Sequence, residues 1–285
     1  MFDRKEGVMK ATLAQLKPEG RAVEANVRTA SEVVRQNADS DLVIFAETYL
    51  CGYVLDAVEE LAIAPEGEEL APLRSACAET STAVIVGFAE ALPGGGVANS
   101  ALCIGERGEI VHVYRKTHLF GRERTAFVPG DSLEPVLLAG RRIGLMICFD
   151  MEFPEVARTL AKRGADTFVT ISANWHPLGP DHATAARARA LENGLPLLYV
   201  NLIDEQDGFR FVGESRVVDP EGKVLEQAGD QPQLLHASVE VSERANPELH
   251  YLNFLREELY EHQWTTDGSR LSSSKSENSS VPTRF

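Results

Sequence analysis

Only four cysteines occur in 285 residues, Cys51, Cys77, Cys103 and Cys148, and none forms a CxxC pair. Spaced so widely, they make neither a zinc knuckle nor a dense disulfide framework, and free thiols in a reducing cytoplasm are expected. Cations are scarce as well: 28 Lys and Arg stand against 43 Asp and Glu, a net charge of −15. A nucleic-acid partner is therefore not expected, because phosphate contacts need clustered cations. No apolar run approaches the ~20 residues that cross a bilayer. The opening MFDRKEGVMK has no signal-peptide core, so a protein with no membrane partner is expected. Also missing are GxxxxGK[ST], a GxGxxG after a strand, HExxH and GxSxG, which takes weight from nucleotide chemistry, dinucleotide redox, zinc proteolysis and serine hydrolysis. Nothing calls for a metal or an organic cofactor.

What is present is an ordinary globular composition, 44% hydrophobic and 25% charged, long enough for one large domain or two modest ones. Short apolar runs alternate with helical patterns from about Met9, which predicts an α/β fold. Residues 9–16 read as a strand, 20–37 as a helix carrying Val23, Val27, Ala30 and Val34 on one face, and 41–47 (DLVIFAE) as a buried strand. A helix over 68–82, a strand over 83–89, a hairpin over 101–114 and a strand over 142–148 follow, and Pro154 suits the first turn of a helix to about Arg163. Strands at 167–172 and 196–203 bracket a helix near 181–193 that stops at Asn193-Gly194. The stretch 209–227 reads as one hairpin turning at Asp219-Pro220-Glu221-Gly222, and 234–241 as a final strand. Residues 265–285, with seven serines and few large apolar side chains, read as a flexible tail.

Reactive residues sit where apolar runs end, which is where open α/β sheets place their ligand sites. Cys148 follows Ile143, Leu145, Met146 and Ile147, Glu47 closes DLVIFAE, and Lys116 lies in VYRKTHLF after the hairpin. Taken singly, each has a plainer explanation: a small core thiol, a carboxylate emerging into water, a solvated lysine. Together they supply a nucleophile, a proton acceptor and a positive charge for an oxyanion, the three requirements of acyl transfer.

FAETYLCGY (45–53), YRKTHLFGRERTAFVPGD (114–131), GLMICFDMEFPEVARTLAKRGAD (144–166), SANW (172–175) and RARALENGLPLLYVN (187–201) come in an order and spacing that resembles the nitrilase superfamily of carbon-nitrogen hydrolases, in its amidase-like branch. The resemblance covers roughly residues 9–262 and implies a four-layer αββα sandwich, with a hydrolase domain over 9–264 ahead of the 265–285 tail. It also implies an enzyme assembled as a homodimer or larger homo-oligomer. The family's catalytic glutamate, lysine and cysteine fall on Glu47, Lys116 and Cys148, and a second, orienting glutamate falls on Glu123, which could otherwise pair with Arg122 or Arg124. The Phe149 backbone N–H is implied as an oxyanion donor, and Tyr53, Asn174 and Trp175 as substrate-binding residues. His118 and His176 would offer a Cys-His dyad, but the family pattern uses glutamate as base.

The implied activity is hydrolysis of small aliphatic carboxamides to carboxylic acid and ammonia through a cysteine thioester. Many relatives carry a basic residue where this chain has Glu152, in the segment Cys148-Phe149-Asp150-Met151-Glu152. That departure points away from substrates bearing a carboxylate and toward neutral or cationic amides. A nitrilase is the nearest alternative, although the tryptophan-glutamate that follows the cysteine in many nitrilases is absent. A noncatalytic scaffold is the distant one, opposed by the intact set Glu47, Lys116 and Cys148.

Overall fold

A computed structural model describes residues 8–206, 208–240 and 250–260. The chain divides into two compact units, one running to His250 and the other beginning at Tyr251. Of the second, the described residues form two short 3-10 turns, Tyr251–Phe254 and Glu257–Leu259. The expected tail at 265–285 lies outside the described residues.

In chain order the first unit runs β1 (Met9–Gln15), α1 (Val23–Gln36), β2 (Leu42–Phe45), α2 (Ala71–Thr80), β3 (Ala83–Ala91), β4 (Val97–Ile104), β5 (Ile110–Arg115) and the single turn α3 (Glu123–Ala126). It continues with β6 (Val136–Leu138), β7 (Arg141–Ile147), α4 (Pro154–Lys162), β8 (Thr167–Ser172), α5 (Gly179–Asn193), β9 (Leu197–Asn201), β10 (Ile203–Gln206), β11 (Phe209–Val212), β12 (Arg216–Val218), β13 (Val224–Gln227) and β14 (Gln233–Val239). Two six-stranded sheets result, ordered β14-β1-β2-β3-β4-β5 and β13-β12-β9-β8-β7-β6. Each has a parallel triple at its centre, β1-β2-β3 in one and β7-β8-β9 in the other, flanked by antiparallel strands.

The apolar runs are continuous because both faces of these central strands are covered. In the second sheet Ile143, Leu145, Ile147, Val169, Ile171, Leu198 and Val200 join the core shared with the first sheet. The alternate positions Met146, Phe168, Leu197 and Tyr199 pack with Val156, Leu160, Ala186 and Ala190 of α4 and α5. Val27, Ala30 and Val34 of α1 and Leu73 and Ala76 of α2 cover the first sheet. The order is helix, sheet, sheet, helix, the four-layer αββα sandwich expected. Helix ends follow their chemistry: α4 opens on Pro154, and α5 stops at Gly194, whose φ of 65° is left-handed.

One expectation is corrected. Residues 209–212 do not belong to the hairpin centred on Gly222; they pair back onto β10 in a separate two-stranded ribbon. Only Arg216–Val218 and Val224–Gln227 flank that turn, which is closed by the Gly222 N–H donating to the Asp219 carbonyl at 3.0 Å. The alternating FRFV pattern fits either partner equally, so pattern alone cannot choose between them.

Candidate active site

Glu47 lies two residues past β2, at a sharp turn. The next residue, Thr48, takes a left-handed φ of 49°, and the turn presses on β3 so closely that a Cβ on Gly87 would stand 2.3 Å from the Thr48 nitrogen and 2.4 Å from the Ala46 oxygen. Only glycine fits there. In return, the Gly87 carbonyl accepts from the Leu50 N–H at 3.0 Å and its own N–H donates to the Ala46 carbonyl at 3.2 Å.

The Glu47 carboxylate is fully buried, at 0% exposure. A charge so placed needs partners, and it has three: Oε1 accepts from Lys116 Nζ at 2.7 Å and from Asn99 Nδ2 at 2.7 Å, and Oε2 accepts from the Ala173 N–H at 2.7 Å. Lys116, the residue after β5, is 1% exposed and donates also to Glu123 Oε1 at 2.8 Å. Burial works against its ammonium, but Glu47 and Glu123 override that and hold its pKa well above the ordinary lysine value. Glu123 is raised, chiefly by burial, with Lys116 opposing. Its carboxylate also accepts from the Tyr53 hydroxyl at 3.1 Å and the Phe120 N–H at 2.8 Å. The alternative pairing of Glu123 with its neighbouring arginines is absent: Arg122 pairs with Asp56, and Arg124 Nε donates to the Leu119 carbonyl.

Cys148 follows β7 directly and opens the 3-10 turn Cys148–Glu152. Its φ of 49° is a conformation that a non-glycine residue adopts only when its surroundings enforce it. The enforcement comes from Asp150. Its Oδ2 accepts from the Ile147 N–H at 3.1 Å and the Tyr114 hydroxyl at 2.8 Å, and its Oδ1 accepts from the N–H groups of Thr117 and His118 at 3.2 and 2.8 Å. One buried carboxylate thus ties the cysteine turn to the backbone just beyond Lys116. The thiol is 8% exposed. Burial pushes its pKa up, Glu47 adds to the rise and Lys116 opposes it, so the sulfur rests protonated at neutral pH.

Cys148, Lys116, Glu123 and Phe149 line one small, narrow cleft. Tyr53, Asn174 and Trp175 line it too, though the Asn174 amide is already engaged, donating to the Leu178 carbonyl at 3.2 Å. Tyr53 and Trp175 lie with ring centroids 5.8 Å apart, backed by Phe209 and faced by Phe120. Glu47 is not among the residues that line the cleft; it is hydrogen-bonded to Lys116, which is.

The two histidines considered as partners for the thiol lie elsewhere. His118 bonds to Asp150 and stacks on Phe153, and His176 lines a separate groove. The histidine on the cleft is instead His182. Asn99, Asp150, His182 and the Ala173 N–H were not singled out from sequence; only the aspartate two residues past the thiol, in a reactive strand end, carried a signal.

A family model for carbon-nitrogen hydrolases matches residues 10–246. The chain belongs to the carbon-nitrogen hydrolase family. Among curated members, it is 41% identical over 224 residues to an (R)-stereoselective amidase from Pseudomonas sp, covering 78% of this chain and 81% of that one. It is 34% identical over 233 residues to a nitrilase from Pyrococcus abyssi, covering 78% and 86%. Among solved carbon-nitrogen hydrolases, an amidase from Nesterenkonia sp. AN1 in complex with butyramide superposes with a TM-score of 0.80 at 27% identity, covering 91% of this chain and 98% of that one. A glutamate-to-glutamine variant of the same amidase shows covalent addition of the acetamide moiety of fluoroacetamide at the active site cysteine.

Proposed function

We propose that this chain is an amidase that hydrolyses the C–N bond of small aliphatic carboxamides at Cys148. The observation that carries the reading is the ammonium of Lys116 fixed between Glu47 and Glu123 on the wall of the cleft into which the strained Cys148 opens. Its small volume suits a short acyl chain, in keeping with the butyramide held by the Nesterenkonia enzyme.

The thiol is neutral at rest, so attack requires a base. Glu47 accepts the thiol proton as sulfur bonds to the carbonyl carbon, and the carbonyl pair moves onto oxygen. That oxyanion is held by the Lys116 ammonium and the Phe149 N–H; losing one such donor typically costs about 2.7–4 kcal/mol of transition-state stabilisation. Glu47 then gives its proton to the amide nitrogen, the C–N bond breaks, and ammonia leaves a thioester on Cys148. Water, losing a proton to Glu47, attacks the thioester; the C–S bond breaks, the acid departs, and the proton returns to sulfur. Glu123 keeps Lys116 on station throughout, and Tyr53, Trp175 and Asn174 shape the acyl site.

The same residues could attack a nitrile carbon, and the Pyrococcus relative is named a nitrilase. Ammonia release from butyramide and from butyronitrile, each with a Cys148→Ala control, separates the two: turnover of the amide alone, lost in the control, is expected, and turnover of the nitrile alone overturns the reading. The reading extends to a catalytic domain over 9–264, a cytoplasmic location in keeping with four free thiols, and a homodimer or larger assembly, measurable by light scattering. Among the described residues no helix is long and apolar enough to cross a membrane.

A further inference from the structure

The cleft carries one charged group that the mechanism above does not use. Glu152 ends the same 3-10 turn that Cys148 begins, and both line the cleft. Its side chain is 34% exposed. Oε1 meets His182 Nε2 at 3.2 Å, and the opposite ring nitrogen of His182 meets the Tyr199 hydroxyl at 2.9 Å, so a buried histidine braces the carboxylate from behind. Among the described residues no donor reaches Oε2. A braced, half-open carboxylate with a free oxygen on a substrate cleft is an acceptor waiting for a donor.

The remaining charges of the cleft do not offset Glu152. Lys116 is paired with two carboxylates, Glu47 and Glu123, leaving one of its three N–H donors for the oxyanion, and among the described residues no arginine lines the wall. A substrate carboxylate would meet Glu152, and the one ammonium on the wall already answers two carboxylates of the protein. An ammonium would meet Glu152 on a wall that also carries the aromatic rings of Tyr53 and Trp175. The cleft is narrow, and Glu152 stands on it only four residues from Cys148 in the same turn, so the charge must lie within a few bonds of the scissile carbonyl.

We propose that Glu152 is the specificity-determining residue of the site and selects short amides bearing a protonated amine near the carbonyl. The proposal rests on the amidase reading and refines its substrate class.

The test compares three pairs matched in shape at pH 7, where an α-amine of pKa about 8 is mostly protonated: alaninamide with isobutyramide, 3-aminopropanamide with butyramide, and 4-aminobutanamide with pentanamide. The readout is the ratio of kcat/KM for ammonia release within each pair. The amine-bearing member is expected to win by roughly 10–100-fold in at least one pair, the worth of a hydrogen bond to a charged group, and Glu152→Gln is expected to bring that ratio close to one. Neutral members equal or better in all three pairs would overturn the proposal and leave the amidase standing. A preference that survives Glu152→Gln overturns the assignment to Glu152, and no release from any amide sinks both readings. The wild-type ratios need no variant, and Glu152→Ala serves if Glu152→Gln does not fold.

Discussion

At the end of β2 the residue after Glu47 turns left-handed, and at the end of β7 Cys148 itself does, with the same φ of 49°. Each sheet thus breaks one strand of its parallel triple at a corner, but the corners are built to opposite ends. The Glu47 corner is sealed: no exposure, two carboxylate oxygens taken by three donors, and β3 pressed against its backbone at Gly87. The Cys148 corner is pinned from one side by Asp150 and opens on the other to the cleft. In the mechanism we propose, the group that gives and takes a proton at one fixed place is thus held by three donors, while the sulfur that bonds to carbon lines the cleft. Backbone strain falls beside Glu47 and on Cys148 itself.

The sharpest way to break this comparison is to keep the shape of the sealed corner and remove its function. Glu47→Gln preserves size but cannot accept the thiol proton; kcat for ammonia release should fall by about 10²–10⁴-fold, the range for lost general-base catalysis. A fall of less than tenfold would mean that Glu47 is only a partner for Lys116. Next in size come the supports. Gly87→Ala drives a methyl into backbone of the Glu47 turn, and overpacking of this kind costs about 1–3 kcal/mol in urea unfolding. Asp150→Asn leaves the Ile147 and Thr117 N–H groups without a charged acceptor and should cost about 1–3 kcal/mol. Here kcat should drop more than KM rises, because the variant loosens the thiol and not the acyl site; an unchanged kcat would reduce Asp150 to a structural staple.

How far the sequence discloses these corners differs between them. Both reactive residues announce themselves, because an uninterrupted apolar run such as LVIF or IGLMI reads as a strand buried on both faces, and whatever follows it emerges at the sheet's end. Lys116 is disclosed less directly, since a lysine after a half-buried strand is ordinarily solvated, and its meaning comes only with the other two. The supports are silent. Asn99 reaches Glu47 across 52 residues and the Ala173 N–H across 126, and such partners depend on sheet order rather than local pattern. His182 faces the cleft only because α5 packs along the cysteine turn, a matter of helix rotation that its weakly amphipathic, alanine-rich sequence does not fix.

A smaller effect tests the open corner through pH. The Cys148 thiol binds its proton more tightly in the folded protein, through burial and Glu47, than in the unfolded chain, where a thiol titrates near 8.5. The folded state therefore keeps its full advantage below about pH 8.5 and loses it as pH rises above that value, since the unfolded chain releases the proton first. Urea midpoints should decline from pH 8.5 to 10.5, and less steeply in Cys148→Ala. Cys51 and Cys77, each pushed by burial to about 12, contribute an equal slope to both proteins. Identical slopes in the two proteins would show that sulfur at this corner titrates freely.

The smallest effect is expected where an equally short ion pair lies away from both corners. Arg35 and Glu79 meet at 2.7 Å, the same separation as Lys116 and Glu47, but their side chains are 43% and 54% exposed against 1% and 0%. Water already solvates both surface charges, and the side-chain entropy lost in holding them together offsets the screened attraction. Arg35→Gln should leave the urea midpoint and kcat within experimental error, at both low and high salt. Should it instead match Gly87→Ala in its cost, separation rather than burial would govern the ion pairs of this fold, and the sealed corner would lose its claim to be different in kind.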